Sequence, residues 1–144
     1  MSAPSLVDAL QRTLAAEHAA IFVLGALGGR ASAHTVTSLR DALATAYDGH
    51  VERRDQLRTM VASVGGDPVA AEPAYRLPSP LTTAAQIAAE ALRVERGCVT
   101  TYAALVAVSA GPDRRWAVAA LVTTAVGETA FGGRPQALPG LGAT

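Results

Sequence analysis

The segment DPVAAEPAYRLPSP, residues 67–80, carries four prolines and separates two stretches whose apolar residues recur at steps of three and four. Proline has no amide N–H and drives the residue before it toward extended backbone, so this connection is read as extended, polyproline-like chain. Its length bears on topology. The helix before it would be about 45 Å long at about 1.5 Å per residue. The roughly 16 residues from Gly65 to Thr82 reach about 50 Å if each rises about 3.1 Å. A connection as long as the helices lets its two flanking helices run parallel, with the chain returning along the outside. An up-down-up-down arrangement needs only short loops, and a slack loop in such an arrangement is the alternative.

The flanking stretches read as four helices. Ser5 and Asp8 form a capping-box pattern ahead of Leu6, Leu10, Leu14, Glu17, Ile21 and Leu24, and Gly28–Gly29 is expected to stop that run. A second stripe takes in Val36, Leu39, Leu43, Ala46, His50, Arg53, Leu57, Met60 and Val64, ending at Gly65–Gly66. Thr82 or Thr83 caps a third, through Ile87, Ala91, Val94, Glu95, Cys98, Tyr102 and Leu105 to Gly111–Pro112. A fourth runs through Trp116, Ala120, Thr123 and Val126 to FGGRP, and QALPGLGAT is left as a strap. The expectation is a single all-α domain over 1–144, with helices near 5–28, 35–64, 82–110 and 113–130.

Composition narrows the class. Half of the residues are hydrophobic but only 4% are aromatic, so Ala, Leu and Val must form the core, which suits close-packed helices better than a β-sandwich. Twelve arginines balance twelve acids and no basic stripe is present, so nucleic-acid binding is not expected. One cysteine, Cys98, allows no internal disulfide and suits a reducing cytoplasm. No basic-then-apolar leader opens the chain and no apolar run is long enough to span a bilayer, so neither secretion nor a membrane is expected.

Three ionisable residues fall on apolar stripes near mid-helix: Glu17 in LAAEHAAIFVLG, His50, and Glu95. Burying such groups is costly unless they are paired, so they are the candidate site. His18 points about 100° away from Glu17 and is a weaker candidate. Arg53 and Arg54 are placed to pair with a carboxylate, whereas Glu52, Asp55, Glu90, Arg93 and Arg96 read as solvated charges. Cys98 on an apolar face reads as a small buried hydrophobe, Trp116 as a core anchor and Tyr75 as a linker contact.

The segments LAAEHAAIFVLG, HVERRDQL, PAYRLPSP and RVERGCVTTYAALV resemble an actinobacterial ferritin-like domain family of unknown function. The resemblance implies a ferritin-like four-helix bundle with the Pro-rich connection as the crossover between helices two and three. The wider ferritin-like superfamily holds two irons with one Glu on each of two helices and a Glu-x-x-His on each of the others. By that pattern Glu17 and Glu95 match the lone carboxylates and His50 the imidazole. Tyr47 stands where the second helix needs Glu, and the fourth-helix segment RRWAVAALVTTAVGETAFGG has no Glu-x-x-His, its only acid being Glu128 at the far end.

Too few carboxylates therefore remain to cage two irons. The preferred expectation is a metal-free Glu/His cluster that fixes helix register in a non-catalytic protein, without a cofactor. Helix four, apolar almost all round, then calls for a second copy to cover it, which makes the expected assembly a homodimer. The alternatives are a single iron, manganese or zinc held by Glu17, His50 and Glu95, with His18 as a weaker ligand, in a redox or storage protein, and a bundle that binds a small molecule at Glu17, His18 and His50.

Overall fold

The computed structural model describes residues 4–31 and 37–142. It contains four α-helices and, among the described residues, no strand: α1 Leu6–Ala31, α2 Thr37–Ser63, α3 Ala84–Val108 and α4 Gly111–Gly127, with α4 tightening into a 3-10 turn at Glu128–Phe131. None of the helices among the described residues is long and apolar enough to cross a membrane.

Local chemistry sets most of the boundaries. Ser5 and Asp8 cap α1 reciprocally, the Asp8 amide donating to Ser5 Oγ at 3.1 Å and the Ser5 amide to Asp8 Oδ2 at 3.2 Å. The Ser5 hydrogen bonds hold the Asp8 carboxyl below its usual range. Thr83 makes the same box with Gln86 at the start of α3. Gly65, at φ 79°, turns the chain out of α2 in a conformation that L side chains rarely adopt.

The Gly28–Gly29 pair does not end α1, which continues to Ala31. Leu27 and Ala31 on the same helix are fully buried, and their packing outweighs roughly 1 kcal/mol per helical glycine. The expected second-helix positions 35 and 36 lie outside the described residues. Further along α2, Val61 is buried in place of Val64, which is 41% exposed. The fourth stripe also has a different phase from the expected one: Ala117, Ala120 and Thr124 face inward, whereas Val126 is 64% exposed. A helix apolar on every side has no moment to fix its phase, so the sequence pattern could not choose.

α1 lies between α2 and α3, and α3 in turn packs on α4. The Thr13 hydroxyl contacts the Thr101 carbonyl at 3.4 Å and the Cys98 thiol the Ala16 carbonyl at 3.8 Å, so α3 runs antiparallel to α1. α2 does likewise: a Cβ on Gly66, just past its end, would meet Val7 at the start of α1. α2 and α3 therefore share a direction. The connection between them lies against α1, where Gln11 donates to the Asp67 carbonyl at 2.6 Å and accepts from the Val69 amide at 2.9 Å. Farther along, Tyr75 stacks obliquely on Phe22, with centroids 5.4 Å apart. The C-terminal strap lies on α3, where Gly140 passes so close that a Cβ would stand 2.7 Å from Ala103 Cβ and from the Val99 carbonyl oxygen.

Candidate functional site

Three helices place five polar side chains around one point at mid-height. α1 supplies Glu17. α2 supplies His50 and, one turn on, Arg53. α3 supplies Glu95 and Tyr102, with Cys98 between them at spacings of three and four that keep all three on one face. Glu17, His50 and Tyr102 are fully buried and Glu95 and Cys98 are each 2% exposed.

His50 is held from both sides. Its Nδ1 donates to Glu17 Oε2 at 2.6 Å and its Nε2 to Glu95 Oε1 at 3.0 Å. Burial alone pushes the imidazole down, but hydrogen bonding to Cys98, Glu17 and Glu95, together with the Glu17 charge, outweighs it and raises His50 to about 11. Both ring nitrogens therefore carry protons and donate.

The other Glu17 oxygen accepts from the Tyr102 hydroxyl at 2.6 Å, and Arg53 Nε stands 3.6 Å from it. Burial, then the Glu17 charge, drives the Tyr102 hydroxyl upward, so it stays protonated as a donor. Burial likewise raises the Cys98 thiol, which leaves it unreactive. Two carboxylates, one imidazolium and one guanidinium sum to no net charge, the condition under which a buried ionic group is tolerated.

Glu17, His50 and Glu95 thus converge. His18 does not join them. Its Nε2 lies 3.0 Å from the Val69 carbonyl, tying α1 to the connection. Arg53 faces the cluster whereas Arg54 pairs outward with Asp55 at 2.9 Å. Tyr102 is the member that sequence reasoning did not assign, although its spacing of seven from Glu95 places it on the same face. Glu90, expected in solvent, is 6% exposed and paired with Arg93 at 2.9 Å. Glu128 is also buried and lies 3.5 Å from Arg96. Trp116 is only half-buried and packs edge-on against Tyr102 at 5.9 Å between centroids.

The chain is thus an all-helical protein with a buried Glu/His/Cys cluster. A family model described as Domain of unknown function (DUF4439) matches residues 9–143, and the chain belongs to that family. Among solved structures, the chain is similar to the crystal structure of a conserved hypothetical protein, rv2844, from Mycobacterium tuberculosis. The two are 32% identical over 86% of this chain and 92% of that one, with a TM-score of 0.77. No curated protein matches the chain.

Two predictions follow from the cluster. Glu17→Ala leaves His50 and Arg53 short of a partner and lowers the unfolding free energy by about 3–5 kcal/mol. Tyr102→Phe, which removes one hydrogen bond to a charged group, costs about 1.5–3 kcal/mol. Urea unfolding followed by circular dichroism reads both; losses under 1 kcal/mol would mean that the cluster is not buried as described.

The proton on His50 also couples stability to pH. Its folded pKa of about 11 lies above the 6.5 of the unfolded side chain, so the contribution is complete below pH 6.5 and is lost as pH rises toward 11. Over that window the folded state holds one more proton, giving a slope of about −1.4 kcal/mol per pH unit. Cys98 and Tyr102, both raised on folding, add to the fall at the alkaline end. In denaturation profiles, His50→Gln should flatten the near-neutral part of this slope. An unchanged slope would contradict the assignment.

Proposed function

We infer that the chain is a ferritin-like bundle in which a proton-filled cluster stands in place of the di-iron centre, and that it works by pairing with a second copy rather than by catalysis. The shared direction of α2 and α3, with a proline-rich connection lying along α1, supports the ferritin-like reading. The donor set does not fit two irons. Glu17 is engaged by His50 and Tyr102, and Glu95 by His50. Tyr47, three residues before His50, is 36% exposed. α4 turns Thr124 inward, and its hydroxyl donates to its own Ala120 carbonyl. The lone buried cysteine is compatible with a cytoplasmic setting.

The observation that carries the pairing is a stripe on the outer face of α4. Val118, Val122 and Val126, at four-residue spacing, are 41%, 53% and 64% exposed, and Leu138 of the strap is 67% exposed. Apolar residues at this repeat form one continuous ridge, which is the geometry by which one helix packs on another. A homodimer closed about a two-fold axis would cover each copy's ridge with the other's.

A second reading, a mononuclear iron, manganese or zinc site, draws on one observation: Glu17, His50 and Cys98 each offer a ligand atom, and these lie within 4.8 Å of one another. It requires His50 to surrender a proton, so the protonation of its ring separates the two readings.

Light scattering coupled to size exclusion, at micromolar concentration, is expected to give twice the chain mass. Val122→Asp, on an exposed position, is expected to give a folded monomer with unchanged helical circular dichroism. A monomeric parent chain would overturn the pairing.

A further inference from the structure

Between α2 and α4 lies a cavity of about 360 Å³, lined among others by Ala46, Gly49, Arg53, Glu95, Gly127 and Phe131. That volume falls within the range of small-molecule sites. Two of its lining groups are of opposite charge, the Glu95 carboxylate and the Arg53 guanidinium. Glu95 is 2% exposed and its Oε1 is engaged by His50. Its Oε2 lies 3.7 Å from where a Cβ on Gly127 would stand. The Arg53 side chain is 13% exposed, and its buried Nε, 3.6 Å from Glu17 Oε1, makes no hydrogen bond. Both glycines leave space. A Cβ at Gly49 would press on Arg53 Nη1 at 3.1 Å, so glycine there lets the guanidinium lie along α2.

A buried donor without a hydrogen-bond partner is costly, and here it belongs to a guanidinium that lines one cavity together with a carboxylate of opposite charge. A lone cation could satisfy Glu95, and a lone anion Arg53, but either would unbalance a cluster whose four charges cancel. A molecule carrying both charges does not. Glu52, the remaining ionisable lining group, is exposed at the rim, where water screens it. The uncharged lining mixes apolar side chains, Ala42, Ala46 and Phe131 among them, with the hydroxyls of Thr45, Thr123 and Thr124.

We propose that this cavity binds a small zwitterion of the amino-acid class, its protonated amine on Glu95, its carboxylate on Arg53 and its carbon skeleton against the alanine and phenylalanine wall. The amine donates to Glu95 Oε2, and the carboxylate accepts from the guanidinium, an arrangement that arginine favours through its forked donors. The site differs from one centred on Glu17, His18 and His50, because Glu17 and His50 are already engaged and His18 faces the connection. It does not depend on the pairing of copies.

Proton–nitrogen correlation NMR of the full chain tests it. The probes are L-leucine and γ-aminobutyrate, which differ in charge spacing, with isoamylamine and isovalerate as half-ligands. The expected result is saturable shifts at Gly49, Thr124 and Gly127 with at least one zwitterion, at a Kd of about 1 mM or tighter, and at least about tenfold weaker binding of both half-ligands. Gly127→Val puts its Cβ in ordinary contact with Glu95 and its branches into the cavity; it is expected to fold with the parent's thermal midpoint and to lose the response. Glu95→Gln should weaken binding at least about tenfold. Absence of a saturable response to both zwitterions, which would mean that only water fills the cavity, overturns the proposal. So does a half-ligand that binds as well as a zwitterion, or a folded Gly127→Val that binds like the parent.

Discussion

Taking Glu17, Glu95, His50 and Arg53 out of water costs several kcal/mol per ion, and the positions of three helices depend on that cost being offset. An imidazolium has two donors at opposite edges of a rigid ring. His50 uses one toward α1 and the other toward α3, so α2 can neither slide nor rotate without breaking a charge-assisted hydrogen bond. Tyr102 fixes the free edge of Glu17 from α3. In a core of Leu, Val and Ala, where one apolar register packs about as well as its neighbour, such directional contacts select among registers.

The cluster sits on α1, α2 and α3, and α4 contributes no charge to it. Those three helices carry the long-range ordering, since the connection from α2 to α3 lies along α1 through Gln11, His18 and Tyr75. α4 follows α3 through a tight turn at Gly111 and needs no further instruction about direction. Freed from the cluster, it keeps Gly127 beside Glu95 and turns a row of valines outward.

How much of this could be read from the sequence depended on contrast between faces. On α1, α2 and α3, Glu17, His50 and Glu95 stand out against leucine-rich stripes, so their placement inside was legible, as was a donor role for Arg53. α4 has no polar face to contrast with, and its phase was misread by one residue, exchanging Thr124 for Thr123. The burial of Glu90 and Glu128 is not legible in the sequence, because an isolated acid looks the same whether it is solvated or paired. Their partners Arg93 and Arg96 are more than half exposed and bring the charge of the solvent-facing side to a buried carboxylate. The end of α1 was misjudged because glycine's local cost is visible in sequence and the packing of Leu27 and Ala31 that outweighs it is not.

The central claim is that His50 is a doubly protonated ring clamped by two carboxylates, and the most direct measurement is nitrogen NMR of the His50 ring. At mildly alkaline pH, above the ordinary histidine range, the ring is expected to show two protonated nitrogens with two slowly exchanging N–H protons, unchanged when zinc is added. A neutral ring with a single N–H under those conditions, or a ring nitrogen that loses its proton to added metal, would contradict it.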